Sequence, residues 1–133
     1  MDKRLEENTR VKKAITRAFF ALLENKSFED IAVTEITSKA KVSRMAYYRN
    51  FNSKLEILEY FLAQIFEAMS RELGEDIDFW TLEYGRVYYH FMKEQRDSIL
   101  LLDKLGFSGL VLNAFNGTNE EIAGDMPRNS IER

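Results

Sequence analysis

Along the chain, apolar residues recur every three or four positions and few alternating runs occur, so the pattern predicts helices throughout. Val11, Ala14, Ile15, Ala18, Phe19, Leu22 and Leu23 trace one face of an amphipathic helix from about residue 8 to 24. Thr9, Arg10, Lys12, Lys13 and Arg17 fall on its wet side or its entry, and Asn25-Lys26-Ser27 breaks it. A short helix follows from about Val33 to Ala40, with Ile36 and Ala40 one turn apart on its inner face. Lys41-Val42-Ser43 has room only for a turn, and Ser43 is a good N-cap for a third helix from Arg44 to about Asn50. Asn52-Ser53 ends it, and Ser53 with Glu56 three residues on is a capping box opening a fourth helix. Leu58, Phe61, Leu62, Ile65, Phe66 and Met69 carry the apolar stripe of that helix to about Leu73, and Gly74 marks its end.

Past Gly74 the pattern predicts a helix from about Ile77 to Glu94, then two shorter ones, Asp97 to Leu105 and Gly109 to Phe115, separated by Gly106-Phe107-Ser108. The polar tail from Asn116 is interrupted by Gly117, Gly124 and Pro127, and only Glu120 to Ala123 invites a further helical turn. The expectation is an all-α chain: a three-helix N-terminal domain over residues 1–54, then a long fourth helix and a partial helical domain over residues 55–133.

Composition narrows this. With 133 residues, 45% hydrophobic and 13% aromatic, the chain can bury a core and is not of a disordered type. No run of about 18 apolar residues occurs and MDKRLEENTR lacks the apolar centre of a signal peptide, so no membrane partner is expected and the cytoplasm is the default location. The absence of Cys removes disulfides, thiolate chemistry and sulfur-ligated zinc. His90 is the sole histidine, and no nucleophile elbow or metal-ligand spacing occurs, so neither catalysis nor a cofactor is indicated.

Charge changes the picture most. The formal net charge is −3, yet residues 1–54 carry 12 Lys and Arg against 7 Asp and Glu, a net of +5, leaving −8 on residues 55–133. Ser38 to Lys54 holds Lys39, Lys41, Arg44, Arg49 and Lys54 without one carboxylate, which suggests a polyanionic partner for this segment. Two short helices joined by a three- or four-residue turn have the form of a helix-turn-helix, whose second helix enters the major groove of DNA. In that role Arg44 could reach guanine O6 and N7, Ala46 a thymine methyl, and Met45 could offer apolar contact. Tyr48, Asn50 and Lys54 are placed to hold phosphates, with the positive end of the fourth helix reinforcing anion binding at Ser53 and Lys54.

At these positions the chain resembles the TetR family of bacterial transcription regulators. Ile36, Ala40, Val42, Ser43, Tyr48, Phe51, Lys54 and Leu58 fall at the family's spacing, and Tyr48-Arg49-Asn50-Phe51 resembles its aromatic-X-His-Phe signature; the likeness covers roughly Thr9 to Leu62. The resemblance implies a DNA-binding repressor whose partner is a double-stranded operator. Arg44, Met45 and Ala46 would face the bases, Tyr48, Asn50 and Lys54 the phosphates and Arg49 either, with Thr34 at the start of the second helix and Ser43 at the head of the third also among the DNA-binding residues. Tyr47 sits where the family packs an apolar residue inward. Lys41 stands where the family usually has Gly, which predicts a left-handed non-Gly residue at a cost on the order of 1 kcal/mol. Asn50 replaces the usual His, and Ala32 lies where a Ser or Thr cap is common.

The family commonly senses a small-molecule effector, so Trp80, Tyr84, Tyr88 and Phe107 are candidates to line a pocket, with ordinary core packing as the alternative. Family members also dimerise through two further terminal helices; a homodimer is the family expectation, and this chain resembles a shortened member or a fragment. The rival from another class is a helical protein-interaction module whose aromatic C-terminal half docks on a partner.

Overall fold

The computed structural model describes residues 2–74, 78 and 81–122, the side chains of 117–122 excepted. The described residues form seven helices and no strand, so the fold is all-α. The helices are α1 (Lys3–Leu23), α2 (Val33–Ala40), α3 (Arg44–Asn50), α4 (Lys54–Leu73), α5 (Leu82–Glu94), α6 (Arg96–Lys104) and α7 (Ser108–Ile122). The chain divides into two compact units, residues 1–61 and 62–133, with the boundary inside α4. The sequence sets the first domain at residues 1–54 and the boundary between modules within the fourth helix or just after it; Ile57 and Leu58, in the first two turns of α4, are fully buried.

The core of the first unit follows from helical spacing. Val11, Ile15, Ala18 and Phe19 bury one face of α1, which packs against both α2 and α3. Ile31, Ile36, Tyr47 and Phe51 complete the core from the loop, α2 and α3. Aromatic pairs reinforce it: Phe28 meets Phe19 edge-on at 5.7 Å, and Tyr60 meets Phe51 at 5.9 Å.

Local chemistry sets the helix ends. Asp2 accepts a hydrogen bond from the Arg4 N–H at 3.0 Å and starts α1 five residues before the apolar pattern begins. Ala32 cannot cap α2 with its side chain; the Glu35 carboxylate accepts from the Ala32 N–H at 3.2 Å instead. Lys41 closes α2 at φ 59° and ψ 44°, the left-handed conformation expected of a glycine, while the Val42 N–H donates to the Thr37 carbonyl at 3.1 Å. Ser43 accepts from the Ala46 N–H at 3.0 Å and opens α3. The Ser53 and Glu56 capping box opens α4: Glu56 accepts from the Asn52 and Ser53 N–H groups, and Ser53 Oγ from the Glu56 N–H at 3.4 Å.

In the second unit Leu62, Ile65, Phe66, Met69, Leu73, Tyr84 and Leu102 are buried. Thr81, whose hydroxyl accepts from the Tyr84 N–H at 3.3 Å, caps α5 at Leu82; the expected start at Ile77 lies outside the described residues. α7 runs unbroken from Ser108 to Ile122, taking in the short helix expected from Gly109 to Phe115 and the start of the turn expected from Glu120 to Ala123, of which Ala123 lies outside the described residues. No helix among the described residues is long and apolar enough to cross a membrane.

Candidate nucleic-acid interface

The candidate site is built on α3, whose residues include one buried side chain, four exposed ones and the half-buried Ala46 and Asn50. Tyr47 is 1% exposed and packs inward, followed at the helix end by Phe51. Arg44, Met45, Tyr48 and Arg49, at positions i, i+1, i+4 and i+5, all face solvent as one strip. Met45 is 72% exposed and Tyr48 51%. The Tyr48 ring stands edge-on to Tyr47 at 5.2 Å, so the core braces the outward ring.

Among the described residues, absence of an ion pair is shared by this strip with Lys3, Arg4, Lys12, Lys13 and Arg17 of α1 and with Lys93, Arg96 and Lys104 of the second unit; what is particular to the strip is the lack of carboxylates around it in the sequence. Ion pairs join Arg10 to Glu7, Lys26 to Glu35, Arg71 to Glu67 and Arg86 to Glu83, and His90 lies 3.4 Å from Glu94. Among the described residues, Lys39, Lys41, Arg44 and Arg49 have no carboxylate partner. No acidic side chain lies between Glu35 and Glu56 in the sequence, and both of those carboxylates are engaged at helix starts. Lys26 and the Ala32 N–H together hold the Glu35 carboxyl below its usual range. The segment from Ile36 to Leu55 is therefore positively charged with no carboxylate of its own.

The remaining sequence candidates occupy varied settings. Thr34 is exposed on the first turn of α2. Ser43 is exposed with its oxygen committed to the α3 cap, leaving its hydroxyl hydrogen for another acceptor. Ala46 and Asn50 are half-buried, and Asn50 Nδ2 donates to the Ala46 carbonyl at 2.8 Å, which leaves a second amide hydrogen for a phosphate.

Lys54 is held differently. Its Nζ donates to the carbonyl oxygens of Phe28 at 2.5 Å, Ile31 at 3.0 Å and Glu29 at 3.3 Å, and stands 4.9 Å from the centroid of the Phe28 ring. The anion expected at the start of α4 is supplied by the chain itself, through Glu56 on the Asn52 and Ser53 amides.

Of the candidates for an effector pocket, Trp80 lies outside the described residues. Tyr84 is buried and stacks on Tyr88 at 6.3 Å with an 11° interplanar angle; Tyr88 meets Phe115 at 5.2 Å, and Phe115 meets Phe66 at 5.9 Å. Burial raises the ionisation of both tyrosine hydroxyls above the ordinary phenol range. Phe107 is half-buried. An open groove of about 410 Å³ lies elsewhere in this unit, lined by Glu72, Glu83, Arg86, Val87, Tyr89 and His90. Tyr89 and His90 are exposed on α5. No family model, curated protein or solved structure matches the chain.

Proposed function

We propose that the first unit binds double-stranded DNA in a sequence-dependent way, as a transcriptional repressor of the TetR type it resembles. α2, the Lys41–Ser43 turn and α3 serve as a helix-turn-helix, with α3 laid in the major groove. Arg44 reads guanine through its paired donors, Met45 and Ala46 make apolar contact with bases, and Thr34, Ser43, Tyr48, Arg49 and Asn50 hold the flanking strands. In a two-fold pair of chains the two α3 helices would address half-sites about 34 Å apart. A small molecule bound in the second unit is the switch that family likeness implies.

The observation that carries this reading is the outward strip of α3, which presents two arginines without acidic partners beside an exposed Met45 and Tyr48. Its test is the salt dependence of duplex binding, followed by fluorescence anisotropy. If Lys39, Lys41 and Arg49 each neutralise one phosphate, the log-log slope is about −0.9 per phosphate, and affinity falls roughly 40-fold between 50 and 200 mM salt.

A second reading is favoured by apolar exposure in the second unit, where Leu82 is 82% and Tyr89 66% exposed on α5. There the chain is a helical protein-interaction module and the basic strip is incidental. Duplex binding that is absent, or indifferent to salt, selects that reading over the first.

A further inference from the structure

Lys54 lies within the basic segment, but its ammonium has a complete set of internal partners. An ammonium carries three donors and no acceptor. Here three carbonyl oxygens, those of Phe28, Glu29 and Ile31, take them, and the Phe28 ring covers the same cation. The side chain is half-buried, and its bonds to Phe28 and Ile31 are partly shielded from water. A phosphate could recruit this cation only by taking it from carbonyls that need a donor of their own.

The loop it grips leads directly into α2. Ile31, 2% exposed, is the last core residue before Ala32, and Ala32 has no side-chain oxygen to cap the helix. The entry is therefore fixed from outside: Glu35 takes the Ala32 N–H, Lys26 pairs with Glu35, and Lys54 holds the carbonyls on the other side of the chain. We propose that Lys54 is a positioning residue, a cationic clasp that joins the start of α4 to residues 28–31 and so sets how the first turn of α2, with Thr34, is presented. The phosphate-binding charge then comes from Lys39, Lys41 and Arg49. This rests on the DNA-binding reading only for its consequence at Thr34; the clasp itself is a property of the free protein.

The experiment uses the full chain and the variant Lys54→Met, which keeps the length of the stem and loses the charge. In the absence of DNA, amide hydrogen exchange over residues 26–36 is expected to accelerate about tenfold or more while the α3 amides change far less. Lys54→Ala is expected to regain protection in ammonium chloride but not in tetramethylammonium chloride at equal ionic strength, because only the first can donate. Duplex affinity falls for Lys54→Met, yet its salt slope stays at the wild-type value rather than shrinking by the roughly 0.9 that a lost phosphate contact removes. Thr34→Ala costs less in the Lys54→Met background than in the wild type.

Should the variants fail to fold, the wild-type chain still decides the matter. Its ¹⁵N-labelled Lys54 ammonium is expected to give a slowly exchanging signal near neutral pH without DNA, and to keep it when duplex is added. A signal that appears only on duplex addition overturns the clasp, as does a slope reduced by about 0.9 with unchanged loop exchange; either leaves DNA binding intact. Wild-type protein that shows no salt-dependent duplex binding removes the functional reading while leaving the loop measurements to judge the clasp.

Discussion

Tyr47→Phe should stabilise the protein. Tyr47 is 1% exposed, its ring lies 6.2 Å from Phe51, and its hydroxyl oxygen has no hydrogen-bond partner. Burying an unpaired hydroxyl costs about 1–3 kcal/mol on the evidence of protein substitutions. Removing it opens a void of only about 10 Å³, which at about 24 cal/mol per Å³ returns roughly 0.2 kcal/mol. The balance is a gain of about 1 kcal/mol, corresponding to a rise in melting temperature of about 4–8 °C for a unit of this size.

The pH dependence gives an independent reading of the same group. Burial first, then the neighbouring Tyr48 and Glu56, raise the Tyr47 phenol above its ordinary value. With the folded value above the unfolded one, the stability tied to the neutral phenol is complete below about pH 10 and is lost as pH rises through the raised folded value. The gap between Tyr47→Phe and wild type should therefore widen above about pH 10. Urea denaturation followed by circular dichroism measures both effects. A Tyr47→Phe protein about 1 kcal/mol less stable than wild type at neutral pH would refute the argument, because it would mean that the hydroxyl has a partner.

Other perturbations test the rest of the account. Lys41→Gly relieves a left-handed residue and should raise stability by about 0.5–1 kcal/mol in the same denaturation assay, after allowance for the more flexible unfolded chain. The same change should reduce the salt slope of duplex binding by about 0.9 if Lys41 meets a phosphate. Arg44→Ala should cost about 1–3 kcal/mol on the preferred duplex and little on scrambled sequence, in competitive binding titrations; equal losses on both would remove Arg44 from base reading. Ser53→Ala breaks one half of the α4 capping box and should lower stability by about 1 kcal/mol without altering the salt slope.

The helices nearest the site were legible because their punctuation is local. Ser43 and the Ser53 and Glu56 pair state where α3 and α4 begin, and α2 and α3 span the residues that their apolar spacing and turn residues predict. The first turns of α1 carry a single apolar residue, the exposed Leu5, so no periodicity announces them; an Asp2 cap and the Glu7 and Arg10 pair sustain them instead. In α7, Gly117 looked like an interruption, but one glycine costs a helix only about 1 kcal/mol relative to alanine. The exposed strip of α3 could be read from Tyr47 and Phe51 as the inward residues, since four-residue spacing leaves Arg44, Met45, Tyr48 and Arg49 outside. The setting of Lys54 could not, because the carbonyls it binds lie 23 to 26 residues earlier and carbonyls leave no mark in a sequence.

The most direct test of the central claim is selection of bound duplexes from a random-sequence pool by the full chain at about 150 mM salt, an ionic strength at which screening is physiological. Repeated rounds are predicted to enrich a short motif with at least one guanine whose selection is lost with Arg44→Ala. Recovery of a pool no different from the input, at protein concentrations that retain DNA, would contradict sequence reading by α3.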